Sequence, residues 1–325
     1  MSTVAKKTSV RAKASNTKFE RAKASKGREI SIGGKKVIIS NPDKIYWPHE
    51  KYTKNDVVEY YNGVFKYILP YLKDRPESLR RNPNGISDQG FFHKDAGENA
   101  PEWVTTQKLF SESANKDIDY IICNDKPTLF YLNNLGCIEL NPWNSRLKSL
   151  DFPDYMVMDI DPSSKNTFDQ VIEVANVIHE LFESAGISNY CKTSGATGMH
   201  VYVPLGAKYD YADVRKFAEQ VALAANHHLP DTTTVERSLD KRKGRIYIDY
   251  LQNKKGQTLA CAYSLRPKEG ATVSTPLEWK EVKKGLHPSQ FTIKTMVSRL
   301  TKKGDLFKPV LGKGINLKSA ISKFE

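Results

Sequence analysis

The strongest periodicity lies in the second half of the chain. YMVMDI (155–160) is an apolar run of strand length. From Thr167, a suitable N-cap, residues Val171, Val174, Ala175, Ile178, Leu181, Phe182 and Ala185 fall on one helical stripe, which Gly186 closes. NYCKT (189–193) and MHVYVPL (199–205) read as strands on either side of an SGATG turn. YADVRKFAEQVALAANHH (211–228) reads as an amphipathic helix and RIYIDYL (245–251) as another strand. The predicted order is β-α-β-β-α-β. In a split βαβ of this order the first strand lies between the third and fourth and runs antiparallel to both. TLACAYSL (258–265) is expected to add one further strand.

The first half is less regular. KKVIIS (35–40) is a strand candidate, NPDKIYWP (41–48) a turn-rich connection, and Asn55 to Leu72 has helical spacing with Thr53 as its cap. Residues 75–150 mix Pro, Gly, Asn and aromatics in short alternating segments that fit an irregular α+β module, without fixing its topology. Residues 1–28 hold nine Lys/Arg against one Glu and repeat RAKAS at 11–15 and 21–25. Such a segment has too little apolar surface to offset its ordering entropy, so a disordered basic tail is expected. The expected divisions are this tail, an N-terminal module (29–150), a catalytic module (151–310) and a C-terminal tail (311–325).

Composition narrows the function class. Hydrophobic residues are 39%, charged residues 27%, mean hydropathy is −0.54, and no apolar run approaches the roughly 18 residues of a membrane span. Neither a membrane protein nor a wholly disordered chain fits, and the N-terminus lacks the apolar stretch of a secretory signal. A cytoplasmic location is expected. Cys123, Cys137, Cys191 and Cys261 are scattered without C-x-x-C spacing, so reduced, buried thiols are expected, with neither a disulfide framework nor a structural zinc. The net charge of +13 favours a polyanionic partner, yet +8 of it belongs to residues 1–28. That tail is either a non-specific phosphate-binding arm or a solvated or targeting segment.

The candidate chemistry starts at Asp159 and Asp161. One residue apart on a strand, they share a face, and like charges this close call for a divalent cation such as Mg²⁺ or Mn²⁺, unless the pair merely ends the strand in solvent. Asp249, in RIYIDYL, would complete the cluster if its strand lies beside the first. Antiparallel pairing, however, brings the start of that segment nearest Asp161, so the meeting requires a bulge or a shifted strand boundary. His200 opens the third strand at the same end. It follows Ser194, Gly195, Ala196, Thr197 and Gly198, a turn whose backbone N–H groups and hydroxyls could face phosphate oxygens. Arg237, Arg242, Arg245 and Arg266 flank these strands, either neutralising phosphates or lying on the surface.

Taken together, DIDP, KTSGATGMHVYVPL, IYIDYLQN and AYSLRP, with NPDKIYWP, TKNDVVEYY, RRNPNG and GFFHKDAGENAPEW, resemble the polymerase domain of bacterial DNA ligase D, of the archaeo-eukaryotic primase superfamily, over about residues 35–310. The resemblance implies an α+β primase-polymerase fold, with a ferredoxin- or RRM-like catalytic module packed on the N-terminal one. It also implies two divalent metal ions, often manganese, on Asp159, Asp161 and Asp249, and catalysis by these three with His200. NTP or dNTP binding is expected from Lys192, Ser194, Gly195, His200 and Arg266. Asn41, Lys44 and Lys54 match a pocket for the 5′-phosphate of a downstream strand, Phe91 and Phe92 match residues that stack near template bases, and Arg242 matches a template contact. Thr197 departs from the Lys common among relatives, a loss of charge for which Lys192 is the candidate to compensate.

The implied activity is templated extension of DNA 3′-ends at gaps and breaks in non-homologous end joining, with a preference for ribonucleotides. No K-x-D-G adenylation motif is present, so a stand-alone polymerase or excised domain is expected, with Ku and a separate ATP-dependent ligase as partners. A nucleoid-associated monomer, pairing across a break, is anticipated. Two other readings stand beside it: a DNA-end bridging module with weak or lost catalysis, and a primase that starts chains de novo.

Overall fold

The computed structural model describes residues 27–112 and 114–324. All but the last two residues of the expected basic tail therefore lie outside the described residues. The chain opens with a hairpin of β1 (Arg28–Ile32) and β2 (Lys35–Ile39), then β3 (Ile45–Trp47), β4 (Tyr52–Thr53) and α1 (Lys54–Leu72). Thr53 caps α1 in a reciprocal capping box with Asp56, worth about 1 kcal/mol. The segment whose topology the pattern left open contains β5 (Glu77–Arg81), β6 (Phe91–His93), a hairpin of β7 (Thr106–Ser111) and β8 (Lys116–Ile121), α2 (Lys126–Asn134) and β9 (Cys137–Pro142). Strands β6, β5 and β9 form one antiparallel sheet in that order.

The expected split βαβ follows: β10 (Tyr155–Asp161), α3 (Phe168–Ser184), β11 (Tyr190–Thr193), β12 (Met199–Pro204), α4 (Tyr211–His228), β13 (Thr233–Thr234), α5 (Leu239–Arg242), β14 (Ile246–Asp249) and β15 (Pro276–Leu277). The six strands are ordered β13-β14-β10-β12-β11-β15, and β10 lies between β12 and β14, antiparallel to both. Strand alternation puts Tyr155, Val157, Asp159 and Asp161 on one face and Met156, Met158 and Ile160 on the other. On the acidic face Tyr155 meets Tyr202 edge-on at 5.2 Å, and Tyr202 in turn meets Phe307 at 5.0 Å.

TLACAYSL is not a strand. It runs irregularly, its strand-like pairing limited to isolated bridges from Thr258 to Trp143 and from Leu265 to Val273, and Tyr263 has φ +68°, outside extended backbone. Its apolar residues from Ala260 onward are buried because they fill the space between the modules, where a strand and an irregular connection need the same composition. The sixth strand is instead the short β15, paired with Cys191 and Lys192.

One core runs through both modules, joining Tyr46, Trp47, Tyr61 and Ile68 to Met158, Ile178, Leu265 and Phe307. The joints are also polar: Tyr60 donates to the Tyr263 carbonyl at 2.7 Å, Trp47 Nε1 to the Lys268 carbonyl at 2.7 Å, and fully buried Arg75 pairs with Asp154. The C-terminal segment packs as well. After α6 (Met296–Lys303), α7 (Leu317–Ile321) buries Leu317 and Ala320, and Phe324 lies against Phe217 at 5.4 Å. All four cysteines are free and buried. Among the described residues no helix is long and apolar enough to cross a membrane.

Candidate active site

The site is laid out by strand register. Lys192 on β11 faces His200 on β12, His200 faces Asp159 on β10, and Asp159 faces Asp249 on β14, so four polar residues form one row across four adjacent strands. Asp161 lies two residues beyond Asp159 on the same face. No bulge is needed to bring Asp249 there, because β14 is short and pairs through residues 247–249, Tyr247 opposite Asp161. The expected mismatch came from starting the strand too early.

A cleft of about 240 Å³ opens over the middle of this row, lined by Phe92, Asp159, Asp161, Ser194, Thr197, His200 and Arg266; Asp249 lies beside Asp159 but outside the lining. Larger hollows exist, such as one of about 360 Å³ beside Trp143 and Phe110, but none gathers the same acids. Burial raises all three carboxyls: Asp159 to about 6, while the charge of Asp159 adds to the rise at Asp161 and Asp249. Each carboxylate is held by the chain itself. His200 Nε2 lies 3.2 Å from Asp159 Oδ1, and Arg242 Nη1 donates to Asp161 Oδ2 at 3.0 Å. Asp249 accepts from Tyr247 Oη, the Leu251 N–H and Gln252 Nε2. Among the described residues no three His, Cys, Asp or Glu side chains already converge as a metal cage. The donor set nonetheless fits a divalent ion: three mutually repelling carboxylates on two adjoining strands, with Asp159 and Asp249 partly shielded and Asp161 half exposed, suit Mg²⁺ or Mn²⁺.

The SGATG turn is tightly built. Ser194 Oγ accepts from the Ala196 and Gly198 N–H groups at 3.1 and 3.0 Å, leaving its own O–H to donate. Gly195 has φ +72°, and a Cβ there would sit 2.7 Å from the Ser274 nitrogen; a Cβ at Gly198 would collide with the Ile160 carbonyl. Arg266 is fixed by Glu139, Nε to Oε2 at 2.7 Å, and by the Ser194 carbonyl, so it stands at the turn. Arg245, by contrast, bonds the carbonyls of Arg242 and Pro230. Lys192 is fully buried behind His200, its pKa lowered to about 7 by burial and by Arg266. It does not line the cleft.

A second pocket, about 360 Å³, collects Asn41, Lys44 and Lys54 as expected, together with Tyr46, Arg81 and Asn134. The Lys54 ammonium donates to the Ser40 carbonyl and to Asn134 Oδ1, both at 2.8 Å, and Lys44 donates to Asn84 Oδ1 at 2.6 Å. Burial, then the charge of Lys44, lowers Lys54 to about 8. Phe91 and Phe92 stand exposed on β6, with the guanidiniums of Arg81 and Arg80 over their rings at 5.3 and 5.1 Å.

Sequence reasoning missed Glu139 and Asn141 in the cleft wall, and Arg81 and Asn134 in the second pocket. Buried Asn141 carries an unpartnered Nδ2. A signal existed in CIELNP, where Glu139 and Asn141 alternate with Ile138 and Leu140 as polar positions of one strand face.

Three carboxylates on neighbouring strands of a split βαβ sheet, beside a histidine and a serine-glycine turn, are an arrangement chemically suited to nucleotide transfer. The LigD primase-polymerase domain family matches residues 53–307. The bifunctional non-homologous end joining protein LigD of Bacillus subtilis is 35% identical over 270 residues, covering 83% of this chain and 43% of that protein. The multifunctional LigD protein of Mycolicibacterium smegmatis is 28% identical over 278 residues, covering 85% and 36%. Among solved structures, the polymerase domain from Mycobacterium tuberculosis ligase D in complex with DNA superposes with a TM-score of 0.79 at 26% identity, covering 86% of this chain and 99% of that one. The chain belongs to the LigD primase-polymerase domain family, a family of nucleotidyltransferases. It spans less than half the length of the LigD proteins just named.

Proposed function

We propose that this protein extends DNA 3′-ends by templated nucleotide addition across short gaps and paired broken ends, as a step of non-homologous end joining. The observation that carries the reading is the register of Asp159 against both Asp249 and His200, with Asp161 alongside. Asp159 and Asp161 would hold two divalent ions and Asp249 one of them. Bound there, the ions would activate the primer 3′-hydroxyl and stabilise the departing pyrophosphate.

The chain's own groups supply the rest. His200, the Ser194 hydroxyl, the Gly195 turn and Arg266 bind and orient the triphosphate, and their fixed donors stabilise charge that develops on it. Arg242 bonds Asp161 only through Oδ2, so that carboxylate keeps Oδ1 as a ligand while Arg242 stands where it contacts the template backbone. Asn41, Lys44 and Lys54 hold the 5′-phosphate across the gap, while Phe91 and Phe92 stack on template bases. Ribonucleotides are the preferred substrates, and Ku and a separate ligase complete the repair.

One observation favours a second reading, an end-bridging module with weak catalysis: the carboxylates are engaged by His200 and Arg242 while the basic pocket is already formed. Extension of a labelled primer on a gapped duplex, with and without the 5′-phosphate, separates the readings. Metal-dependent addition that the phosphate stimulates and Asp159→Ala abolishes supports polymerase action; phosphate-dependent binding without addition supports bridging. Addition without any pre-existing 3′-hydroxyl indicates a primase.

A further inference from the structure

Lys192 is a charged residue with no exposed surface, and its closest partners are neutral. Its ammonium lies 2.9 Å from His200 Nδ1, 2.9 Å from the Ala260 carbonyl and 2.6 Å from Ser274 Oγ. Burying a cation this way is costly, and an unbranched apolar side chain would fill the same space without that penalty. What the cation does is visible in its direction, straight across the strand pair at the back of the imidazole.

We infer that Lys192 is a positioning residue: it donates to Nδ1 of His200 and so fixes the imidazole as the tautomer that carries its proton on Nε2, the nitrogen facing the catalytic cleft. The hydrogen-bond inventory supports this. An ammonium can only donate, so the 2.9 Å hydrogen bond from Lys192 requires His200 Nδ1 to be the acceptor, and Nε2, 3.2 Å from Asp159 Oδ1, carries the proton of a neutral ring. A neutral ring then has a bare Nδ1, which needs a donor. The Ala260 carbonyl can only accept, and an ammonium with three N–H groups satisfies the carbonyl, the serine and Nδ1 at once. Ser274 Oγ in turn reaches the Thr193 carbonyl at 3.2 Å, which ties the anchor to β11. The chain therefore presents a fixed N–H donor to the cleft. This inference rests on the reading that His200 binds the triphosphate, and it moves Lys192 from direct nucleotide contact to action through His200.

The test combines a tautomer measurement with a double-mutant cycle. In the wild-type chain labelled with ¹⁵N-histidine, the His200 resonances, assigned by their loss in His200→Asn, are expected to show a protonated Nε2 and an unprotonated Nδ1. Protonation on Nδ1 alone would overturn the inference, and this reading needs no Lys192 variant to fold. Lys192→Met is expected to mix the tautomers and to lower nucleotide addition by about tenfold or more, with 5′-phosphate-dependent DNA binding unchanged. In a His200→Ala background the same substitution should add nothing, because its effect passes through the imidazole. Independent losses in the two backgrounds would make Lys192 a direct phosphate contact and defeat the proposal. A wild-type chain without nucleotide addition would instead count against the polymerase reading, while the tautomer spectrum would still decide the role of Lys192.

Discussion

The catalytic row and the basic pocket are made from opposite materials. The row is set by backbone pairing, with Lys192, His200, Asp159 and Asp249 held at strand spacing by the ladder, whereas the pocket is assembled from a loop, a helix start and the end of α2. Their charges are also handled differently. In the row, Asp159 and Asp161 face His200 and Arg242, while in the pocket Lys54 is held by the neutral oxygens of Ser40 and Asn134. Distances among acids need a rigid frame, and binding an anion needs a cation that no internal anion has already neutralised. The two regions therefore differ in how their charges are met: two carboxylates of the row already face a histidine or an arginine, whereas Lys54 of the pocket faces only neutral oxygens.

The largest test of that contrast is Asp159→Ala. It should reduce primer extension by at least about a thousandfold, as expected when a group that organises transition-state charge is removed, while leaving 5′-phosphate-dependent DNA binding within about twofold in a gel-shift titration. Loss of both together would show that the two regions are not separable. Next is Phe92→Ala. Its ring is exposed, so thermal stability should not move, but template affinity should fall by about 1–3 kcal/mol, read as the Kd for a single-stranded overhang. An unchanged Kd would take Phe92 out of the binding surface.

Lys54→Met should lower the preference for phosphorylated over unphosphorylated gaps by about tenfold, in keeping with a charge-assisted hydrogen bond, with extension on unphosphorylated gaps preserved. A pH series sharpens this. Lys54 is lowered to about 8, so its ammonium is present at pH 7 and is lost progressively as pH rises through 8 in the DNA-free protein. Phosphate preference should therefore be complete near pH 7 and begin to fall above pH 8. Preference held undiminished to about pH 10 would mean that a lysine of ordinary pKa does the binding.

Much of this arrangement was legible from residue order, because regular elements announce themselves. Thr167 caps α3, and the stripe that follows left little freedom in placing that helix. Once β10 was set between its antiparallel neighbours, His200 and Asp159 had to meet. The rest depended on information that local patterns do not carry. Asp249 reached the site through the length of β14, which pairing determines and composition does not. Lys192 alternates on a strand as any cleft residue would, and only the fold shows that Ala260 and Ser274 close around it. TLACAYSL misled because apolar content reports burial and says little about whether the backbone is extended.

The continuous core has a consequence for dissection of the molecule. Trp47 near one end and Phe307 near the other belong to the same packed cluster, and Arg75 bonds Asp154 across the boundary. The acidic sheet would lose much of its cover if residues 151–310 were expressed alone, exposing Tyr155 and Tyr263 to water. Thermal unfolding of the whole chain should accordingly give a single calorimetric transition whose van't Hoff and measured enthalpies agree. In evolutionary terms, polymerisation and end recognition would then be inherited as one cooperative unit.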